Sequence, residues 1–227
     1  VTITVRPVLT VTAGTADNVI CDDETVALSS SAAGGSGTYT TIAWTGLASG
    51  QLSSTSVAAP TFNPNAVGAQ TVYTFTVTYT DNAGCTGFNT VNVTVDPAPV
   101  ALAVGGTATI CYNSSTNITI AASQNGVSYQ LRDNAGNTPV GSPVAGNGGA
   151  INLPTGNLTA NTTYNVLATS AAGCDTQMSN TVTITVRPVL TVTAGTADNV
   201  ICDDETVALS SSAAGGSGTY TTIAWTG

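Results

Sequence analysis

Histidine and lysine are both missing from this 227-residue sequence, and its only basic side chains are Arg6, Arg132 and Arg187. Without histidine there is no ordinary general base to activate a serine or cysteine nucleophile. Without lysine there is no Schiff-base amine and no phosphate-loop lysine. Twelve acids leave a net charge of -9, which excludes the basic patches that nucleic acid and anionic membranes recruit. Charged residues make up only 7% of the chain, against about 25% in an ordinary folded domain. Thr, Ser, Asn and Gly supply the polar surface instead. No apolar run approaches the roughly 18 residues of a membrane span. No Cys-x-x-Cys, His-Glu-x-x-His or phosphate loop occurs. The glycine clusters Gly34-Gly35-Ser36-Gly37 and Gly146-Asn147-Gly148-Gly149 open no helix and read as loops. An enzyme is not expected, and neither is a cofactor.

What the sequence does contain is repetition. Residues 182–227 are identical to residues 1–46, an offset of 181. A repeat found early governs how everything else is read. Inside the 181-residue period the two halves align loosely. Cys21 precedes Thr25-Val26-Ala27-Leu28, and Cys111 precedes Asn117-Ile118-Thr119-Ile120. Asp81-Asn82-Ala83-Gly84-Cys85 parallels Ser170-Ala171-Ala172-Gly173-Cys174. The period is therefore two diverged domains, A and B, each about 90 residues long, within the usual range of domain sizes. The expected boundaries are 1–7 for the last strand of a preceding B-type domain, 8–97 for A, 98–188 for B, and 189–227 for the start of a second A. The opening residues Val1-Thr2-Ile3-Thr4-Val5 already read as a strand, so the chain is expected to begin inside something longer.

The periodicity is that of strands. Tyr73, Phe75, Val77 and Tyr79 alternate with Thr74, Thr76 and Thr78, which gives one buried face and one threonine face. No stretch has a capped 3.6-residue period. In A, strands are predicted near Val8–Thr12, Glu24–Ala32, Tyr39–Thr45, Gln51–Ser54, Pro60–Asn63, Thr71–Thr80 and Phe88–Val95. In B they are predicted near Val100–Val104, Ser115–Ala122, Val127–Arg132, Thr138–Val144, Ala150–Leu153, Thr162–Thr169 and Met178–Val186. Seven short strands in about 90 residues indicate an immunoglobulin-like sandwich. The fold class is thus all-β, with tandem immunoglobulin-like β-sandwich domains arranged end to end. Trp44 is the expected core anchor of A, and Tyr129 holds the matching place in B.

Three stretches carry a family resemblance: Gly34-Gly35-Ser36-Gly37-Thr38-Tyr39, the run Tyr39-Thr40-Thr41-Ile42-Ala43-Trp44, and Thr78-Tyr79-Thr80-Asp81-Asn82-Ala83-Gly84-Cys85. Together they resemble the PKD-like and other Ig-like repeats of giant Bacteroidetes cell-surface adhesins, including the SprB type used in gliding. That resemblance implies an extracellular or cell-surface repeat protein exported by the type IX system. The role it suggests is a stalk or shaft of an adhesin or filament. Its partners would be neighbouring repeats of the same chain and other chains laterally, with no nucleic acid and no membrane insertion. Two alternatives stay open: a module that itself binds glycan or protein, for which Tyr112 and Tyr39 are the aromatics to inspect, and accessory domains of a secreted enzyme.

Five cysteines in secreted β-domains read as disulfides. Nearly equal spacings of 64 and 63 suggest Cys21–Cys85 and Cys111–Cys174. Strand counting instead favours Cys21–Cys174 across the A–B junction, because Cys21 and Cys85 fall at opposite poles of one domain. Cys111 would then await a cysteine of a following A domain, and Cys202, the copy of Cys21, a partner beyond residue 227. The acids Asp22, Asp23 and Glu24, with Asp96 and Asp175, are either a solvated turn or ligands of a structural calcium ion, which favours several carboxylate and carbonyl oxygens.

Overall fold

The computed structural model describes residues 2–226. It divides into two compact units, one of Val1–Pro99 with Thr169–Asp175 and one of Val100–Ala168 with Thr176–Gly227. The first unit holds β1 (Thr10–Thr15), β2 (Val19–Cys21), β3 (Val26–Ala33), β4 (Tyr39–Thr45), β5 (Thr61–Phe62), β6 (Thr71–Asp81) and β7 (Thr86–Asp96). One sheet has the order β1-β3-β5, and the other β2-β7-β6-β4. Neighbours are antiparallel except β2, which runs parallel to β7. The Thr/apolar alternation of β6 decides its orientation. Phe75, Val77 and Tyr79 are buried and the intervening threonines face outward. Phe62 of the facing sheet meets Phe75 edge-on at 4.8 Å between centroids and Tyr73 at 5.4 Å, the arrangement that aromatic quadrupoles favour. Trp44 on β4 is 2% exposed. Its indole N–H donates to the Val57 carbonyl at 2.8 Å, so burial strands no polar group.

Two predicted strands are corrected. The segment near Gln51–Ser54 is a 3-10 turn at Ser49–Gln51 followed by a single bridge from Leu52 to Phe62. The first strand, expected at Val8–Thr12, begins at Thr10 and is followed by a second piece, β2, on the opposite sheet. The switch occurs at Ala16-Asp17-Asn18. There the Asp17 carboxylate accepts from the Val19 amide at 3.0 Å, and the Thr15 hydroxyl donates to the Asp17 carbonyl. Such Asx and hydroxyl turns compete with ladder pairing and so end a strand.

The second sandwich repeats the plan with β8 (Val104–Gly105), β9 (Ala108–Ile110), β10 (Asn117–Ile120), β11 (Val127–Asp133), β12 (Thr138–Pro139), β13 (Val144–Ala145), β14 (Ile151–Pro154), β15 (Thr162–Ser170), β16 (Asp175–Gln177) and β17 (Val182–Val186). One sheet is β14-β10-β8. The other is β12-β11-β15-β17-β9, with β13 on β11 and β16 on β15. Again a short strand, β9, runs parallel to the last one, β17. Tyr129 takes the place of Trp44, fully buried, with its hydroxyl accepting from the Gln124 amide at 2.8 Å. The strand expected over Thr138–Val144 is two short pieces, separated where Gly141 adopts a positive φ ahead of Pro143. The strand expected at Val100–Val104 is reduced to Val104–Gly105. That expected at Met178–Val186 starts only at Val182.

The identical segments separate propensity from context. Ile184 in β17 is 0% exposed, whereas Ile3, with the same neighbours in sequence, is 83% exposed and outside any strand. The second copy of the A sequence forms only β18 (Thr191–Thr196) and β19 (Leu209–Ala214). These pair in the register of β1 and β3: Thr191 faces Ala214 as Thr10 faces Ala33. The residues matching β2 and β4 form no strand there, and Trp225 is 51% exposed. The β18–β19 pair is present here without the other strands of a sandwich. The sandwich needs the apolar face that β6 and β7 supply, because strand preference largely measures packing against neighbours.

Candidate functional site

The parallel strand β2 fixes where Cys21 lies. Its register sets Val19 against Thr94, Ile20 against Val95 and Cys21 against Asp96, so Cys21 sits beside the end of β7. Cys85 immediately precedes the start of β7, an 11-residue strand. At about 3.3 Å per residue the two cysteines are separated by roughly 35 Å. A disulfide needs Cα atoms within about 7 Å. The second sandwich has the same arrangement, with Ile110 against Val186 and Cys111 next in sequence. The within-domain pairings Cys21–Cys85 and Cys111–Cys174 are therefore not formed. The structure joins Cys21 to Cys174, with Cα atoms 5.7 Å apart and a sequence separation of 153. Cys85, Cys111 and Cys202 are free and exposed.

Cys174 is delivered by a tight turn. The Ser170 amide donates to the Cys174 carbonyl at 2.8 Å, the Gly173 amide to the Ser170 carbonyl at 3.0 Å, and the Cys174 amide to Ser170 Oγ at 3.1 Å. Gly173 closes the turn with φ of 91°, a conformation that costs other residues a Cβ clash. This turn belongs to the compact unit of residues 1–99, and Cys174 is buried in it. The Cys174 sulfur lies 3.9 Å from the Asp96 carbonyl oxygen. A disulfide sulfur carries no hydrogen, so this is packing rather than a hydrogen bond.

Cys85 stands on the same kind of turn. The Asp81 amide donates to the Cys85 carbonyl at 2.9 Å and the Gly84 amide to the Asp81 carbonyl at 3.0 Å, with φ of 82° at Gly84. Here Asp81 replaces Ser170. One carboxylate oxygen accepts from the Ala83 and Cys85 amides at 2.9 and 2.8 Å, and the other from the Ser36 amide at 2.8 Å. Desolvation in this buried position raises the Asp81 pKa, but the amide bonds from Cys85, Ser36 and Ala83 outweigh it and hold the carboxyl below its usual range. Composition alone did not single out Asp81. Its signal was the Asp-Asn-Ala-Gly turn pattern, in which an aspartate bonds the backbone two residues on.

Most of the acids considered as calcium ligands also accept hydrogen bonds from the protein. Asp22 accepts from the Val67 amide at 2.8 Å and the Ala98 amide at 2.9 Å, and its own amide donates to the Asp96 carbonyl at 3.0 Å. Glu24 accepts from the Cys21 amide at 3.1 Å. Buried Asp96 accepts from the Gln70 side chain at 2.8 Å. Asp175 accepts from the Thr169 hydroxyl, and Asp23 is exposed. Among the described residues no three His, Cys, Asp or Glu side chains converge as a metal cluster. Asp22 acts as a clamp, tying the turn after β2 to both the 67 region and the segment after β7. Of the two aromatics flagged for recognition, Tyr112 is exposed. Tyr39 is half-buried, donating to the Gly34 carbonyl at 3.3 Å and packed edge-on against Tyr79.

Residues 98–188 match the model of a family described as Ig-like domain, CHU_C associated. No curated protein matches the chain. Among solved structures the chain is similar to murine CEACAM1b, at 14% identity and a TM-score of 0.41, covering 78% of this chain and 99% of that one. It is also similar to fibronectin(III)-like modules of CbhA from Clostridium thermocellum, at 10% identity and a TM-score of 0.36, covering 77% and 94%. The strand order in both sandwiches, with the first strand shared between the sheets and its second half parallel to the last strand, is that of immunoglobulin-like domains. The chain is built of immunoglobulin-like β-sandwich domains, and its segment 98–188 matches the CHU_C-associated Ig-like family.

Proposed function

We propose that the chain is a structural repeat segment, the stalk or shaft of a long extracellular adhesin or surface filament of the kind its motifs resemble in Bacteroidetes. The observation that carries this reading is the verbatim recurrence of residues 1–46 at 182–227. A sequence copied without drift supplies length rather than a new recognition surface. The disulfide adds support. Joining Cys21 to Cys174 closes a loop that contains most of both sandwiches, and such bonds persist in oxidising compartments outside the cytosol. The partners on this reading are neighbouring repeats of the same chain and, laterally, other chains. A surface dominated by Thr, Ser and Asn with few charges suits a spacer that engages little else.

The rival role, direct binding of glycan or protein, has one specific feature in its favour: Tyr112, exposed next to the free Cys111. A glycan array and a panel of immobilised host-matrix proteins, probed with the chain and with Tyr112→Ala, separate the two. A shaft gives no saturable binding on either surface. Saturable binding that Tyr112→Ala abolishes would establish the adhesive role and remove the shaft reading.

A further inference from the structure

We infer that Cys111 and Cys85 are the two halves of a second disulfide, one that links successive copies of this repeat head to tail. The cysteines fall into two structural kinds. Cys21 ends and Cys111 follows a short strand, and these two and Cys202, the sequence copy of Cys21, each open a turn in which the residue three positions later donates its amide to the cysteine carbonyl, at 3.1, 3.2 and 3.1 Å. Cys174 and Cys85 each close a glycine turn between two paired strands, β15 and β16 for Cys174 and β6 and β7 for Cys85, with the same pair of backbone hydrogen bonds. The one disulfide in the structure joins a member of the first kind to a member of the second. Cys111 is a first-kind cysteine without its bond, and Cys85 a second-kind cysteine without its bond. Both are exposed.

The sequences flanking the cysteines fix which pairs fit. Cys21 lies in the A sequence and takes the glycine-turn cysteine of the B sequence. Its copy Cys202, being of the A sequence too, requires another B-type turn, which Cys85 is not. Cys111 lies in the B sequence and by the same alternation takes the glycine-turn cysteine of an A sequence, which Cys85 is. The partner is a second copy of this chain, or the next A sequence where the repeat continues. The inference is independent of what the filament is for; it holds whether or not the chain bears load.

The bond forms by exchange with a small-molecule disulfide such as oxidised glutathione. The Cys111 thiolate attacks the glutathione disulfide and releases one reduced glutathione. The Cys85 thiolate of the second copy then displaces the other, so two protein thiols are oxidised and one glutathione disulfide is reduced to two thiols.

The test is to incubate the full chain at high concentration with oxidised glutathione and resolve it on non-reducing gels, with peptide mapping of every linked band. The expected result is a ladder of multimers whose cross-link is Cys85–Cys111. The ladder is lost in Cys85→Ser and in Cys111→Ser, and retained in Cys202→Ser. All three sites are exposed, so the serine variants are expected to fold, which circular dichroism checks. The inference is overturned by a ladder that survives either of the first two substitutions, by cross-links that run mainly through Cys202 or between like cysteines, or by the absence of any ladder.

Discussion

The two tryptophans occupy identical sequences in unlike surroundings, so mutating each in turn isolates tertiary packing from local sequence. Trp44 is 2% exposed with a satisfied indole N–H, and Trp225 is 51% exposed. Truncating a buried tryptophan to alanine costs about 3–5 kcal/mol, the transfer of the ring plus the cavity it leaves. The Val57 carbonyl also loses its donor, adding about 1 kcal/mol. With a urea m-value of about 2 kcal/mol per M, Trp44→Ala should lower the unfolding midpoint of its sandwich by roughly 2–3 M. Trp225→Ala should change stability by no more than about 0.5 kcal/mol, as surface substitutions do. The assay is urea titration followed by circular dichroism, with native fluorescence as a second readout. Trp225→Ala leaves only Trp44 and should emit to the blue; Trp44→Ala leaves only Trp225 and should emit to the red and be quenched by iodide. Equal midpoint shifts, or a shielded Trp225, would refute the claim that β18 and β19 make a hairpin without a covering sheet.

Further perturbations follow from the site. Asp81 has a lowered pKa in the fold, so its contribution to stability is full above the ordinary carboxylate value of 3.8 and is lost as pH falls through the lowered value. Asp81→Asn should therefore flatten the acid limb of a stability–pH profile; an unchanged acid limb would show that the turn does not need the charge. Asp22→Ala strips the acceptors from the Val67 and Ala98 amides and should cost about 1–3 kcal/mol. If the two amide bonds to Asp22 alone hold this turn, excess chelator should leave the melting temperature unaltered, and a chelator-induced fall would support the calcium reading. Cys21→Ser, Cys174→Ser and the double variant should all lose the same stability. That loss is at most about 5 kcal/mol for so long a loop, because each change breaks the one bond that closes 153 positions.

Much of the fold could be read from pattern. β6 was legible because Tyr73-Thr74-Phe75-Thr76-Val77-Thr78-Tyr79 alternates without a break, and the structure buries Phe75, Val77 and Tyr79 on one face. Trp44 and Tyr129 were legible as anchors because each falls on the third predicted strand of its domain, and both are buried. The splitting of the first strand was not legible. β2 is only Val19-Ile20-Cys21, too short for periodicity to register, and its pairing is parallel and long-range, to residues 94–96. The same held for β9 in the second sandwich. The Gln51–Ser54 segment misled because Leu52 is apolar and flanked by polar residues, which fits a strand as well as one turn with a bridge. At the site, strand counting placed Cys21 and Cys85 at opposite poles, since direction survives the sheet switch. Nothing in the sequence showed which backbone amides the Asp22 carboxylate accepts from. That depends on where the Val67 and Ala98 amides end up, contacts set by tertiary structure.

The most direct measurement of the central claim, that one bond from Cys21 to Cys174 locks most of the chain, is single-molecule pulling from the two termini with and without reductant. With the bond intact, the stretch from Cys21 to Cys174, a sequence separation of 153, cannot extend, and at about 3.3–3.6 Å per residue reduction should release roughly 505–550 Å of additional contour length. Within-domain bonds would instead hide 64 and 63 positions, the separations of Cys21 from Cys85 and of Cys111 from Cys174. Those would release about 420–460 Å in two nearly equal portions. A release near 505–550 Å is the predicted result. Two equal portions, or no dependence on reductant, would contradict it.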